Sequence, residues 1–163
     1  MRVEYTTPGV YLKKTFPTQA PKELITGVPV FLGVTDDQEF LENIPKLLTL
    51  PTQIQFNESD KTYLAHAVRG FFENGGRFCY VVKLRDLSRT ALNEGLDALE
   101  LLDEIDLVCA PDIMQIKDSG EIIAMQQAIL EHCEGSESRF AILDSFLTGE
   151  HPELKSANGA IYT

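Results

Sequence analysis

From Leu64 onward this 163-residue chain switches back and forth between helical and extended apolar patterns at regular intervals, and few folds accommodate that. A helical stripe needs one covered face, whereas a short continuous apolar run needs cover on both, so their alternation predicts a parallel sheet with helices laid across it. Leu64, Ala67, Val68, Phe71 and Phe72 stand at i, i+3, i+4, i+7 and i+8, which predicts a helix over residues 63–74. Gly75-Gly76 follows where a left-handed cap is needed, and residues 77–84 then read as a strand rich in aromatic and β-branched side chains. A second helix over 90–104 is expected to bury Leu92, Leu96, Leu99 and Leu102, and it feeds a short central strand at 107–110. A third helix opens at Asp118, with Glu121 at the spacing of a capping box, and carries Ile122, Ile123, Met125, Ile129, Leu130 and Cys133 inward until Gly135 ends it. Residues 140–143 form the next strand, and Ala160-Ile161-Tyr162 reads as the start of another.

Upstream, residues 28–34 are the first strand, with Pro29 near its beginning where a missing N–H does least harm. The expected fold is therefore α/β: a mainly parallel sheet flanked by helices in a three-layer αβα sandwich with right-handed crossovers, occupying residues 28–163. Residues 36–60 are polar and punctuated by prolines, with room for short local elements at 44–48 and 51–54.

The first 27 residues do not share this pattern. Val3, Tyr5 and Thr7 on one side, and Val10, Tyr11 and Leu12 on the other, belong to two β-prone pieces hinged at Pro8-Gly9, and Pro17 and Pro21 follow. An extended N-terminal β-arm is the natural reading of residues 1–27. Such a segment carries backbone donors and acceptors that need either the edge of its own sheet or a strand of another chain.

Twenty-five acidic against fourteen basic side chains give a net charge of −11, which repels phosphate backbones and anionic membrane surfaces, so no nucleic-acid partner is expected. No stretch holds the roughly 18 uninterrupted apolar residues of a membrane-spanning helix, so direct membrane insertion is not expected either. Met1 to Tyr5 lack the apolar core of a secretory signal, which points to a cytoplasmic start. Cys79, Cys109 and Cys133 fall in two strands and a helix, odd in number and far apart, and read as small buried hydrophobes.

In an open parallel sheet ligands collect beyond the carboxyl ends of the strands, where Asp36, Asp37, Asp112 and Asp144 are expected. A metal-dependent α/β enzyme holding Mg²⁺ through Asp36, Asp112 and Asp144 is one reading; carboxylates that merely cap loops and helices are the other. No Gly-rich phosphate loop lies between a strand and a following helix. His66, His132 and His151 lack zinc spacing, and Ser145 lacks a nucleophile elbow, so a triad of Ser145, His132 and Asp112 has nothing specific behind it. No catalytic residue, cofactor or metal site is assigned.

Taken together, these segments resemble the contractile tail sheath family of phages and phage-like extracellular injection systems. Tyr5-Thr6-Thr7-Pro8-Gly9-Val10-Tyr11 resembles the family's N-terminal Ser/Thr-Pro-Gly-Val-Tyr signature, and residues 25–35 are similar to its first strand. Residues 64–82, a helix running through Gly75-Gly76 into a strand rich in Tyr and Val, carry the most specific likeness; 98–111 and 139–144 follow in the family's order. The resemblance implies a structural, non-enzymatic subunit assembled in the bacterial cytoplasm into a virion tail or phage-like injection particle. It implies contacts with other sheath subunits, with an inner tube protein and with a baseplate. It further implies that Val3, Tyr5, Thr7, Pro8, Gly9, Val10, Tyr11 and Leu12 form a linking strand shared with the C-terminal extension of neighbouring subunits. A baseplate or cap component with a sheath-like fold is the alternative within the same resemblance. Family members run longer, so a C-terminal domain beyond the α/β domain is expected.

Overall fold

In the computed structural model of the protein, residues 26–54, 62–136 and 138–145 are described. The elements run β1 (Pro29–Gly33), β2 (Lys46–Leu48), a 3-10 turn (Pro51–Gln53), α1 (Tyr63–Glu73), β3 (Cys79–Lys83), α2 (Arg89–Asp97), β4 (Leu107–Cys109), a second 3-10 turn (Pro111–Gln115), α3 (Ser119–Gly135) and β5 (Phe140–Ile142). The five strands form one sheet in the order β2-β3-β1-β4-β5. β1 pairs in parallel with both β3 and β4, β4 pairs in parallel with β5, and β2 runs antiparallel along β3. The expected α/β class is observed, but the sheet is mixed. Its antiparallel strand comes from the proline-punctuated stretch, in which no element could be assigned from sequence.

Every residue of β1 is buried, because apolar side chains cover both of its faces. Val30 and Leu32 of β1, Val82 of β3 and Val108 of β4 point toward Leu92 and Leu96 of α2 and Met125 and Ile129 of α3. Phe31, Cys79, Val81, Cys109 and Leu48 point the other way, toward Leu64, Ala65 and Val68 of α1. Helices thus cover both faces. The path moves from β1 to β3 through α1 on one face, then back across β1 to β4 and on to β5 through α2 and α3 on the other. Reversing direction and face together is what a single crossover handedness requires.

The cap predicted at Gly75-Gly76 forms. Gly75 takes φ +91°, a conformation that L side chains rarely adopt, and the N–H groups of Gly75 and Gly76 donate to the carbonyls of Phe72 and Phe71. A Cβ on Gly76 would collide with the Phe71 ring, which folds over it and meets Phe31 edge-on at 6.1 Å.

Two helices depart from expectation. α2 stops at Asp97, and Leu99 and Leu102 lie in tight turns after it; Leu99 is still fully buried. The physical reason lies 40 residues away: Arg139 Nη2 donates to the carbonyls of Leu99 and Leu102, both at 2.7 Å, so these carbonyls are satisfied without a further helical turn. In α3, Asp118 caps as expected by accepting from the N–H of Gly120 and Glu121. Ile123 and Leu130 are only partly buried, while Gln126 is fully buried. Its Nε2 donates to the Asp144 carbonyl at 2.8 Å and thereby fixes the chain as it leaves β5.

The arm residues Val3, Tyr5, Thr7, Pro8, Gly9, Val10, Tyr11 and Leu12 lie outside the described residues, as does Ala160-Ile161-Tyr162.

Candidate functional site

The carboxyl ends of the strands are where the sequence put four aspartates, and the structure gives them different work. Asp112 follows β4 and is fully buried. Its Oδ2 accepts from the Val34 N–H at 2.8 Å, just after β1. Its Oδ1 accepts from the N–H of Tyr63 at 2.5 Å and of Leu64 at 3.1 Å, and from Gln115 Nε2 at 2.8 Å. The first turn of α1 has no side-chain cap of its own: Thr62 makes none, and no acidic residue stands in that turn. A carboxylate 48 and 49 residues downstream supplies the cap instead, meeting the orphan N–H groups and the positive end of the helix.

Gly33 makes room for this bolt, since a Cβ there would overlap the Asp112 carboxylate and press within 3.0 Å of Leu64 Cβ. Burial raises the Asp112 pKa above its ordinary value, and the four donors pull in the opposite direction. With both oxygens committed to protein donors, Asp112 has little left to offer a cation.

The other three aspartates do not join it in a cluster. Asp36 is exposed, and Asp37 turns its Oδ1 back to accept from the Glu39 N–H at 2.9 Å. Asp144 lies exposed past β5, its carboxyl pKa raised by desolvation, and the contact that holds it runs through its backbone carbonyl. Among the described residues no three His, Cys, Asp or Glu side chains come together as a metal site would require. The proposed metal set of Asp36, Asp112 and Asp144 is therefore not brought together, because Asp112 is turned into the protein to cap α1.

Opposite, at the amino ends of the strands, a cleft of about 500 Å³ is lined by Glu100, Asp103, Glu131, His132 and Arg139 among others. Arg139, just before β5, is clamped to the Leu99 and Leu102 carbonyls, and its Nη1 lies 2.8 Å from His132 Nε2. A guanidinium can only donate, so Nε2 accepts and His132 is neutral, with its proton on Nδ1. Burial first and Arg139 second hold the His132 pKa below its ordinary value of 6.5.

A base whose pKa is lower in the folded state stabilises the fold above its unfolded value and loses that contribution as pH falls through the folded one. The His132 contribution is therefore expected to lower the thermal midpoint between pH 7 and pH 5, while the raised carboxyls of Asp112 and Asp144 act in the opposite direction. That contribution should be lost in His132→Asn, which offers a carbonyl oxygen to Arg139 and does not titrate; an equal slope in both proteins would refute the role given to His132.

His132 lies at one end of the sheet while Asp112 and Ser145 lie at the other, so the triad drawn on sequence is not assembled. His66 is exposed on α1, and His151 lies outside the described residues. All three cysteines are buried and free. Desolvation pushes the thiols of Cys79 and Cys109 up to about 12 and raises that of Cys133, which keeps them protonated and inert at neutral pH, as packing side chains should be.

No protein-family model and no curated protein sequence matches this chain. Solved structures do. Over 91% of its length the chain superposes on a subunit chain of the anti-feeding prophage helical sheath in its contracted state, with a TM-score of 0.60 and 24% identity. Over 87% it superposes on a chain of the anti-feeding prophage baseplate in its contracted state, with a TM-score of 0.60 and 26% identity. The chain spans 42% and 40% of the lengths of those two chains. Both are components of assemblies.

Proposed function

We propose, from the premise that this chain carries the sheath-like fold of contractile injection systems, that it is a structural subunit of a contractile sheath and not an enzyme. The observation that carries the proposal is the likeness to the helical sheath over 91% of the chain. The described residues fit this role: Asp112 and Arg139 both fasten backbone, at α1 and at the Leu99–Leu102 turns respectively.

In this reading the α/β body is a rigid block and residues 1–27 are its connector. Val3, Tyr5, Thr7, Pro8, Gly9, Val10, Tyr11 and Leu12 pair with strands of neighbouring copies, a head-to-tail contact that does not close and so propagates. Copies surround an inner tube and rest on a baseplate; contraction repacks the interfaces between bodies while the strand links hold. The free energy of contraction resides in subunit interfaces rather than in a bound nucleotide. Assembly takes place in the bacterial cytoplasm, and the product is part of a tail or a phage-like injection particle.

A second reading has its own observation. The likeness to the baseplate structure is as good, with the same TM-score of 0.60, so a baseplate or cap component is the alternative role. Electron microscopy of particles carrying the labelled protein separates the two. Label along the whole tail length is expected for a sheath subunit, label at one end only would assign the baseplate role, and a monodisperse small particle without assemblies would overturn both.

A further inference from the structure

Asp106 and Arg139 stand just before β4 and β5, and carrying the ladder back one residue from the Leu107–Phe140 pair sets them side by side on neighbouring strands. The Phe140 N–H donates to the Asp106 carbonyl at 2.8 Å, so the pairing does reach this far. Val108 and Ala141, two residues on, pack on the face of α2 and α3. Strand alternation therefore puts both charged side chains on that face, across a strand spacing of about 4.8 Å. Yet the two do not pair. Arg139 turns its Nη groups away, to the Leu99 and Leu102 carbonyls and to His132 Nε2. Asp106 commits Oδ2 to the Gly27 N–H at 2.6 Å. Asp106 Oδ1, an acceptor, and Arg139 Nε, a donor, are left buried without a hydrogen-bond partner among the described residues. Unpaired buried groups are costly, and these two are of complementary chemistry.

The observed arrangement depends on the absence of one proton. His132 Nε2 accepts from Arg139 only while the ring is neutral; an added proton goes onto Nε2 itself and sets donor against donor and cation against cation. We infer that Arg139 is a two-position latch thrown by His132: when the imidazole takes up a proton, the guanidinium leaves the Leu99 and Leu102 carbonyls and pairs across the strands with Asp106. The second position satisfies both Nε and Oδ1. It also releases the turns that carry Glu100 and Asp103, one wall of the cleft. The groups facing His132 set where this happens. Burial and Arg139 oppose protonation, whereas Asp97 of α2 and Glu100 of the following turns favour it; Asp103 and Glu131 line the same cleft. The balance places the change below the ordinary histidine value of 6.5. The latch acts within one body and stands whether the assembly is a sheath or a baseplate.

NMR of the full 163-residue protein between about pH 7 and about pH 5 tests it, with amide exchange corrected for its intrinsic pH dependence. Protection of the Glu100 and Leu102 amides is expected to fall roughly 10-fold as the His132 ring signals titrate, while the Val82 and Val108 amides of the interior strands stay protected. The Arg139 Nε–H signal should shift in step, as it gains a carboxylate acceptor. In His132→Asn, which does not titrate, both changes should vanish; should that variant fail to fold, His132→Gln is read in the same way. In Asp106→Asn, which keeps an acceptor for the Gly27 N–H, the Nε–H shift should vanish and the loss of protection should shrink. Unchanged protection in the unaltered protein would overturn the inference, as would an equal loss in His132→Asn. An equal loss in Asp106→Asn would overturn it too, because Arg139 would then be leaving for solvent and not for Asp106.

Discussion

Removing residues 1–14 is expected to abolish assembly into tubes while leaving the α/β body folded, with an unfolding free energy within about 1 kcal/mol of the intact chain. The second half of that expectation follows from where the core lies. Among the described residues the buried apolar side chains run from Val28 to Cys133, and they form one cluster on each face of the sheet. The first half follows from the proposed linkage. A body that contacts its neighbours only through repackable faces has nothing to hold it in register, whereas a strand shared between copies does. Sedimentation and negative-stain microscopy read assembly, and a thermal melt reads the body; tubes of normal length from the deletion would refute the arm's assignment. Loss of the melt together with loss of tubes would show instead that the arm pairs within its own domain.

Asp112→Ala is expected to cost about 3 kcal/mol of stability, a fall of roughly 10 °C in the thermal midpoint for a domain of this size. Four donors lose their acceptor at once: the N–H groups of Val34, Tyr63 and Leu64, and Gln115 Nε2. Leu64 is fully buried, so water does not readily replace the carboxylate there. Asp112→Asn should fall between the two proteins, because one amide oxygen remains an acceptor while the amide nitrogen faces other donors. A midpoint within about 2 °C of the unaltered protein would sink the capping role. The same melts carry a test of the enzyme reading. If Asp112 held Mg²⁺, millimolar Mg²⁺ would raise the midpoint of the unaltered protein and not of Asp112→Ala; no Mg²⁺ effect on either is expected.

The buried Asp112 also shows how much of a site can be read from a sequence. Its position was legible, because a residue just past a predicted central strand must lie at the carboxyl end of the sheet. Its job was not. A ligand-binding carboxylate and a helix-capping one have the same neighbours in sequence, Pro111 and Ile113, and they differ only in what the fold brings within hydrogen-bonding distance. Thr62, which precedes α1, gives no sign that the cap comes from elsewhere, except that it makes no cap itself. Arg139 is a similar case: nothing around it announces that it will close the turns after α2.

Local periodicity by itself determined the α/β class, the three helices, four of the five observed strands, the Gly75-Gly76 cap and the inert packing role of the cysteines. These features depend on residues at most a few positions apart, and the hydrophobic effect acts on such patterns whatever the rest of the chain does. Only the tertiary structure decided that Lys46–Leu48 is an antiparallel edge strand, that α2 ends at Asp97, that Gln126 is buried in place of Ile123, and that Asp112 belongs to α1. Each of these turns on a hydrogen bond or a register between residues tens of positions apart. Such partners are chosen by the geometry of the assembled sheet, which no local window of the sequence contains.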